Sequence, residues 1–279
     1  MIRDTEDLKA LLGVPYTEEQ LDAITAPLEP AVIVAGAGSG KTTVMAARVV
    51  WLVGTGQVGP HQVLGLTFTN KAAAELSERI RKALRKLEDE ELEDPDSEFD
   101  ESVGEPTVST YHAYADRLIK EHGLRLGLEP SARLLADATR YQLAVTAVRG
   151  PKELRYFKGK VADLADRVLA LDGELSEHLV TPEQLREHEE AFIGQAESFR
   201  DPRNGKAKRG YTDFLKAAEI ARQRIELSEL VERYRDLKVR RDLIDFGDQM
   251  VLGARLAEER AEVGAIEREK FKVVLLDEY

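Results

Sequence analysis

A run of small residues that ends in a lysine and two threonines is where this sequence first indicates chemistry. Residues 35–42 read Ala-Gly-Ala-Gly-Ser-Gly-Lys-Thr, which matches a phosphate-binding loop except that Ala35 replaces the glycine of the stricter pattern. Successive backbone N–H groups of such a loop point into one concavity, and the following helix adds positive charge at its N-terminus. Lys41 can then reach the β- and γ-phosphates of a nucleotide, and the Thr42 hydroxyl can ligate magnesium. The alternative is a glycine-rich turn that binds nothing.

An acidic pair near the other end of the sequence is the natural complement of this loop. Asp277 and Glu278 follow an apolar run at 271–276, and ligands of parallel α/β sheets bind at the carboxyl ends of strands. We expect Asp277 to hold magnesium, directly or through water, and Glu278 to polarise the water that attacks the γ-phosphate. An Asp-Glu pair alone is common, so its position after a strand pattern carries the prediction.

Alternating strand and helix patterns must position these groups. Apolar, β-branched runs predict strands, and apolar residues at helical spacing predict helices between them. This alternation favours a parallel sheet covered on both faces by helices. Thr17 and Gln20 have the spacing of a capping box, which predicts the start of a short helix. The predicted elements are strands at 31–35, 63–68, 106–110 and 271–276, and helices at 41–53, 71–87 and 113–122.

Between about 121 and 241 the sequence changes to long, charged amphipathic stretches, which predict a helical insertion. We therefore expect an α/β fold with an inserted, all-helical subdomain. Because the sequence stops directly after a strand pattern, we also expect it to be cut from a longer protein. The helical stretches are 139–148, 161–171, 182–196 and 214–237.

Composition limits the classes of function. The 279 residues are 43% hydrophobic and include no cysteine, which excludes disulfides and thiolate metal sites. The net charge of −12 is unusual for a phosphate-binding protein. Most of this charge is local, because residues 88–105 contain eleven acidic and no basic residues. We expect a solvated loop there. Neither a membrane span nor an export signal is visible, so a cytoplasmic location is expected.

Several motifs, in this order along the chain, resemble those of the UvrD/Rep family of superfamily 1 helicases. Residues 16–20 are similar to the family's Q motif, and 35–42 reproduce its motif I. Residues 66–73 look like motif Ia, and Ser109 to Ala113 resemble a Thr-Phe-His segment with tyrosine in place of phenylalanine. Residues 243–250 are similar to a segment that precedes motif II, although Gly247 and Gln249 depart from it, and Asp245 can simply cap the next helix. Residues 273–279 fit the start of motif II.

The resemblance implies a RecA-like P-loop NTPase fold that uses ATP and Mg²⁺. It implies that Lys41 and Glu278 are catalytic, that Thr42 and Asp277 hold the metal, and that Gln20 reads the adenine edge while also completing the capping box. The implied nucleotide-binding residues are Gln20, Ala35, Gly36, Ala37, Gly38, Ser39, Gly40, Lys41, Thr42 and Thr43. The implied DNA-binding residues are Phe68, Thr69, Asn70, Lys71, Thr110 and His112.

These DNA-binding assignments also have a physical basis and alternatives. Polar groups where a strand passes into a helix can donate to a phosphate, and an aromatic ring can stack on a base. Phe68 could equally be a core residue. A lone histidine such as His112 is more often a surface or core residue than a ligand-binding one. The basic run at 200–210, with five basic residues and one acidic residue, could hold duplex phosphates or be a flexible loop.

By resemblance, residues 1–117 and 241–279 form domain 1A, and residues 118–240 form the inserted domain 1B. The implied activity is ATP-driven 3′ to 5′ movement along single-stranded DNA, with unwinding at duplex junctions, in repair or recombination. A partner subunit or a fused nuclease domain is possible in such proteins. The alternatives are a P-loop ATPase of another kind, and a nucleotide- and DNA-binding module without turnover because the second RecA-like domain is absent.

Overall fold

The structure is a computed structural model that describes residues 2–36, 38–92, 104–128, 132–150, 154–157, 159–198 and 212–278. The chain divides into two compact units. Unit 1 comprises residues 1–114 and 260–279, and unit 2 comprises residues 115–259. Among the described helices, none combines the length and the apolar character needed to cross a bilayer.

The elements, in chain order, are mostly helices. The helices are α1 (Thr5–Leu12), α2 (Glu18–Thr25), α3 (Lys41–Gly54), α4 (Asn70–Leu92), α5 (Tyr111–His122), α6 (Asp137–Val148), α7 (Val161–Glu177), α8 (Pro182–Ser198), α9 (Thr212–Val239), α10 (Phe246–Glu259) and α11 (Ala261–Lys270). Short 3₁₀ turns lie at Pro60–Gln62 and Gly123–Leu126. The strands are β1 (Val63–Thr67), β2 (Thr107–Thr110), β3 (Arg133–Leu134), β4 (Leu243–Ile244) and β5 (Val273–Leu276).

Unit 1 contains a parallel sheet in the order β2-β1-β5. Every residue of the central strand β1 is buried, as expected for a strand covered on both faces. Thr67 pairs with Thr110 of β2, and Leu66 pairs with Leu276 of β5. The predicted parallel arrangement is confirmed, and all three strands end at the same edge of the sheet.

The core of unit 1 forms where helices α1, α3 and α4 pack on this sheet. Val49 and Leu52 of α3 and Leu76 and Ile80 of α4 are almost inaccessible to solvent. The apolar positions recur every three to four residues, which places them on one face of each helix. The buried face of α3 fixes the orientation of the helix that follows the glycine-rich loop.

The predicted strand at 31–35 is wrong. Residues 30–36 form neither strand nor helix, and the side chains of Val32 and Val34 are 85% and 93% exposed. A β-branched run becomes a strand only when a neighbour pairs with its backbone and covers its side chains. None of the described strands does so. The outer edge of β5 also has no described neighbour, and Val274 and Leu276 of β5 are exposed.

The predicted acidic loop is partly wrong, because α4 continues to Leu92. Glutamate and leucine are good helix formers, and no proline interrupts the sequence until Pro95, so the helix extends into the acidic run. Residues 93–103 and the basic run at 200–210 lie outside the described residues.

Unit 2 is built mainly from helices α6, α7, α8 and α9. Their core includes Tyr234 and Val231 of α9, Val168 of α7 and Ala144 of α6, all fully buried. The predicted all-helical insertion is wrong in one respect, because β3 within it pairs in parallel with β4. The backbone N–H groups of Arg133 and Leu135 donate to carbonyls of the β4 segment, which makes this two-residue ladder possible.

Candidate functional site

The glycine-rich loop turns through two left-handed residues before α3 begins. Gly38 has φ 79° and Gly40 has φ 82°, conformations that a side chain would strain. The backbone N–H of Val44 donates to the carbonyl of Gly40, so the helix continues directly from the loop. Ala37 lies outside the described residues. The local sequence thus folds as a tight loop that opens onto the N-terminus of a helix.

Lys41 lies at the first position of α3 and points back over the loop. Its Nζ donates to the carbonyls of Ala35 at 3.2 Å and Gly36 at 3.1 Å. Thr42 is half-buried in the first turn, and the Thr43 hydroxyl accepts a 2.9 Å hydrogen bond from Arg79 of α4. The ammonium group therefore lies within the loop, close to the N-terminal turn of α3.

Gln20 connects helix α2 to the loop. Its side-chain oxygen accepts from the Thr17 N–H at 3.0 Å and the Thr17 hydroxyl accepts from the Gln20 N–H, so the predicted capping box is confirmed. The amide nitrogen Nε2 of Gln20 donates to the carbonyl of Ser39 at 3.1 Å. The two ends of the amide thus serve different partners, one in α2 and one in the loop.

The acidic pair lies at the carboxyl end of β5. The backbone N–H of Asp277 donates to the Leu66 carbonyl of β1 at 2.9 Å, and the Tyr111 hydroxyl donates to the Asp277 carbonyl at 3.2 Å. Glu278 is exposed and adopts φ 57°, a left-handed conformation that costs a non-glycine residue about 1 kcal/mol. The sheet therefore fixes the backbone of Asp277, and the chain turns sharply directly after it.

Phe68 follows β1 at the same edge of the sheet. Its side chain is 63% exposed, so the alternative that it is a core residue is wrong. Its ring meets the Tyr111 ring edge-on, with 5.6 Å between ring centroids. The Thr69 hydroxyl accepts from the Ala72 N–H at 3.1 Å, and Lys71 is exposed with a weak 3.9 Å ion pair to Glu75.

Thr110 closes β2 and starts α5. Its hydroxyl accepts from the Ala113 N–H at 3.2 Å, and the residue is 8% exposed. This is the geometry of a helix N-cap, so the fold itself uses the hydroxyl of Thr110, a residue that the resemblance assigned to DNA binding. His112 is half-buried in the first turn of the same helix.

The register of the sheet brings three of the predicted groups to one edge. The segments that follow β1, β2 and β5 contain Phe68 to Lys71, Thr110 to His112, and Asp277 with Glu278. The glycine-rich loop is not brought there by a strand, because residues 30–36 lie outside the sheet. Its described links to the rest of unit 1 run through α3, Gln20 and Arg79.

Sequence reasoning missed two arginines that connect α3, the helix after the loop, to α2 and α4. Arg79 of α4 reaches Thr43, and Arg48 of α3 is 8% exposed although the surrounding helix is apolar. A single arginine in the run from Val44 to Val53 was a usable signal, because an unpaired buried guanidinium is costly.

A second set of charges is buried in unit 2. The Nζ of Lys238 lies 2.8 Å from Asp248, 3.1 Å from Asp245 and 3.4 Å from Asp172, and only 3% of the Lys238 side chain is exposed. Arg235 also pairs with Asp172 at 2.6 Å. Burial opposes the charged form of Lys238, but the three carboxylates outweigh it and raise its pKa above the usual value.

This set of charges also organises the start of α10. Asp245 accepts from the Asp248 N–H at 3.0 Å, and Asp248 accepts from the Asp245 N–H at 2.8 Å, so the predicted capping role of Asp245 is confirmed. Burial tends to raise the pKa of Asp245, but Lys238 and the capping hydrogen bond lower it overall. Gln249, which departs from the resembled pattern, donates to Asp116 at 3.0 Å.

Together these features define a mixed α/β chain, mostly helical, with a parallel sheet and a glycine-rich loop that leads into helix α3. The chain belongs to the UvrD/REP helicase N-terminal domain family, whose model matches residues 16–279. Membership accounts for the order of motifs along the chain.

Individual relatives are longer than this chain. A DNA helicase II from Haemophilus influenzae is 26% identical over 98% of the chain and 31% of its own length. An ATP-dependent DNA helicase UvrD2 from Mycobacterium bovis is 30% identical over 94% of the chain and 32% of its own length. An ATP-dependent helicase/nuclease subunit from Streptococcus thermophilus is 34% identical over 55% of the chain and 13% of its own length. The chain spans about a third of the first two relatives.

Proposed function

We propose that this chain is the ATP-binding part of an ATP-dependent DNA helicase that moves 3′ to 5′ on single-stranded DNA and unwinds duplex junctions. Family membership and the names of the relatives support the class of activity. The observation that carries the proposal is the register of the sheet, which gathers the candidate DNA-binding segments and the acidic pair at one edge. In this proposal, ATP hydrolysis at the acidic pair is coupled to the DNA-binding segments through adjacent strand ends of the sheet.

The nucleotide site is assigned to the glycine-rich loop and Gln20. The left-handed turns at Gly38 and Gly40 let backbone N–H groups approach phosphate oxygens closely, and α3 adds its N-terminal positive charge. Lys41 then donates to the β- and γ-phosphates instead of to its own loop. The free second hydrogen and lone pair of the Gln20 amide can read the adenine edge while the capping box remains.

The donors of Thr42 and Asp277 fit magnesium, because a hydroxyl and a carboxylate are the oxygen ligands that this ion prefers. Bound magnesium would neutralise phosphate charge during γ-phosphate transfer. Glu278, exposed directly after Asp277, orients the attacking water and accepts its proton. This assignment requires residues 30–36 to approach the β5 edge when nucleotide binds.

The DNA site is assigned to the exposed groups at the same edge. Phe68 offers a ring for base stacking, and Thr69, Asn70 and Lys71 offer donors to a phosphate at the N-terminus of α4. We assign Thr110 and His112 to contacts with the DNA backbone. A base stacked on Phe68 would also lie near Tyr111, which hydrogen-bonds the Asp277 segment.

In architecture, we propose a RecA-like domain 1A from residues 1–117 and 241–279 and an inserted domain 1B from residues 118–240. The same proposal includes a role in repair or recombination and a cytoplasmic location. It also includes a partner subunit or a fused nuclease domain. The name of the Streptococcus relative, which describes a helicase/nuclease, supports the last of these.

A second candidate is a nucleotide- and DNA-binding module without turnover. The exposed segment at 30–36 favours it, because no described strand holds the loop against the acidic pair. A second RecA-like domain would also supply an arginine worth about 10³ to 10⁵ in rate.

The discriminating measurement is ATP hydrolysis, with and without single-stranded DNA, by this chain and by the complete gene product. We expect negligible turnover by the chain and strong, DNA-dependent turnover by the gene product. Lys41→Ala should abolish the latter, and Glu278→Gln should leave ATP bound but uncleaved. If the gene product hydrolyses ATP equally with and without DNA, translocation loses its support.

A further inference from the structure

The C-terminal end of helix α2 has an unusual partner. The Arg48 guanidinium, on helix α3, donates from Nη1 to the carbonyls of Ala23 at 3.3 Å, Ile24 at 3.0 Å and Ala26 at 2.8 Å. Its Nη2 donates to the carbonyl of Pro27 at 3.0 Å. One buried side chain thus binds four backbone carbonyls where α2 ends.

Helix α2 needs such a partner. The last carbonyls of a helix have no partner within it, and helices often solve this with a left-handed glycine or with a nearby basic residue. The residue after α2 is Ala26 with φ −48° and ψ 146°, which is not left-handed, and the last turn of α2 contains no basic residue. Arg48 therefore supplies from α3 the cap that α2 lacks, with its positive charge at the negative end of the helix dipole.

The other end of α2 is attached to the glycine-rich loop. Gln20 lies in the first turn of α2 and donates to the Ser39 carbonyl. Helix α2 therefore has two attachments to the segment from Ser39 to Arg48, one at each end. Arg48 lies seven residues after Lys41, or about 10 Å along α3, which is close to the length of the eight-residue α2. Helix α2 is held alongside α3 as a rigid support for Gln20.

From this geometry we propose that Arg48 is a positioning residue that sets how α2 presents Gln20 to the nucleotide, and thereby sets the selectivity of the site for the base. The inference rests on the proposed function, because it assumes that the loop binds a triphosphate and that Gln20 faces the base. The hydrogen bonds of Arg48 within the described part of the chain all go to backbone carbonyls, so we do not assign it a catalytic role. Its loss should affect recognition of the base and spare recognition of the phosphates, which the loop and Lys41 bind.

The test compares two ligands on the purified chain by titration calorimetry, Mg-ATP and Mg-tripolyphosphate. Replacing Arg48 by methionine removes the four hydrogen bonds to the carbonyls at the end of α2, so Arg48→Met should weaken Mg-ATP binding roughly tenfold or more. Mg-tripolyphosphate binding should change by less than about twofold. Arg48→Lys keeps a charged donor and should recover part of the loss. Arg85→Met, at an exposed arginine of α4, is the matched control and should bind both ligands as the wild type does.

A double substitution separates positioning from general stability. If Arg48 acts through Gln20, the Gln20→Ala and Arg48→Met variants lose the same interaction, and the double variant should bind Mg-ATP no more weakly than Gln20→Ala alone. Losses that multiply would overturn the proposal, as would equal weakening of both ligands or unchanged Mg-ATP affinity in Arg48→Met. Should Arg48→Met fail to fold, Arg48→Lys and Arg48→Gln carry the same comparison.

The wild type and Lys41→Ala distinguish this inference from the proposed function. A wild-type chain that binds neither ligand, or a Lys41→Ala chain that binds both unchanged, would refute the nucleotide site itself. Wild-type binding with unaltered selectivity in the Arg48 variants would refute only the role of Arg48.

Discussion

Replacing Lys238 by methionine tests the buried charges of unit 2. Lys238 faces three carboxylates within 3.4 Å, and methionine keeps an unbranched apolar stem while removing the charge. Asp172 keeps Arg235 at 2.6 Å and Asp245 keeps Arg140 at 3.5 Å, whereas Asp248 keeps no cation among the ion pairs of the described residues. Removing one partner of a buried pair costs about 3 to 5 kcal/mol, so we expect a loss of that size in the free energy of unfolding.

The assay is urea unfolding of the chain followed by far-ultraviolet circular dichroism at pH 7. The matched control is Lys216→Met in the same helix α9, where Lys216 pairs with Asp213 at 3.5 Å and the two side chains are 71% and 91% exposed. An exposed pair of this kind contributes about 0 to 1 kcal/mol. If Lys238→Met destabilises the chain no more than Lys216→Met does, the account of the buried charges is wrong.

The same variant has an expected pH dependence. The pKa of Asp245 is lowered in the folded chain, so its stabilising contribution is present above the unfolded pKa of about 3.9 and is lost as pH falls through the lowered value. Without Lys238 that pKa should rise, because the cation that lowers it is gone. The stability difference between wild type and Lys238→Met should therefore be largest near neutral pH and should narrow as the pH falls into the range where the carboxylates take up protons. A difference that grows in acid would contradict this assignment.

Two further substitutions test the site in unit 1. Phe68→Ala in the complete gene product should weaken binding of an oligothymidine by about 1 to 3 kcal/mol, measured by fluorescence anisotropy, because it removes an exposed stacking surface. Phe214→Ala, at an exposed phenylalanine of unit 2, is its control, and equal effects of the two would argue against stacking on Phe68. Gly40→Ala should cost about 1 to 2 kcal/mol of stability and most of the Mg-ATP affinity in calorimetry, because φ is 82° at that position. Gly173→Ala, inside α7 with open space around it, should be neutral or stabilising, and an intact ATP site in Gly40→Ala would show that the left-handed turn is dispensable.

Periodicity in the sequence was enough to find most of the elements. The amphipathic spacing over 71–87 predicted α4, whose buried Leu76 and Ile80 follow that spacing, although the helix runs on to Leu92. The alternation of strands and helices also predicted the parallel sheet, because parallel strands require crossover connections. The capping box at Thr17 was predictable because it involves only residues three apart in the sequence.

Features that depend on distant partners could not be predicted. The apolar run at 31–35 has strand propensity, but its backbone pairs with none of the described strands. Lys238 and Asp172 are 66 residues apart in sequence, and their pairing depends on how α7 packs on α9. Arg48 acts on carbonyls more than twenty positions earlier, and a side chain that binds only backbone leaves no complementary charge to find.

The outer edge of β5, which pairs with no strand among the described residues, has a consequence for how this chain behaves in solution. A free strand edge is a template on which any extended apolar peptide can form a ladder. The chain also contains such a peptide, the exposed run at 31–35, which pairs with none of the described strands. In the structure the two do not pair. Any pairing between them should occur first within one molecule, because a short tether gives an effective concentration of about millimolar, far above that of dilute protein. In concentrated samples, pairing between copies should compete with pairing within one molecule.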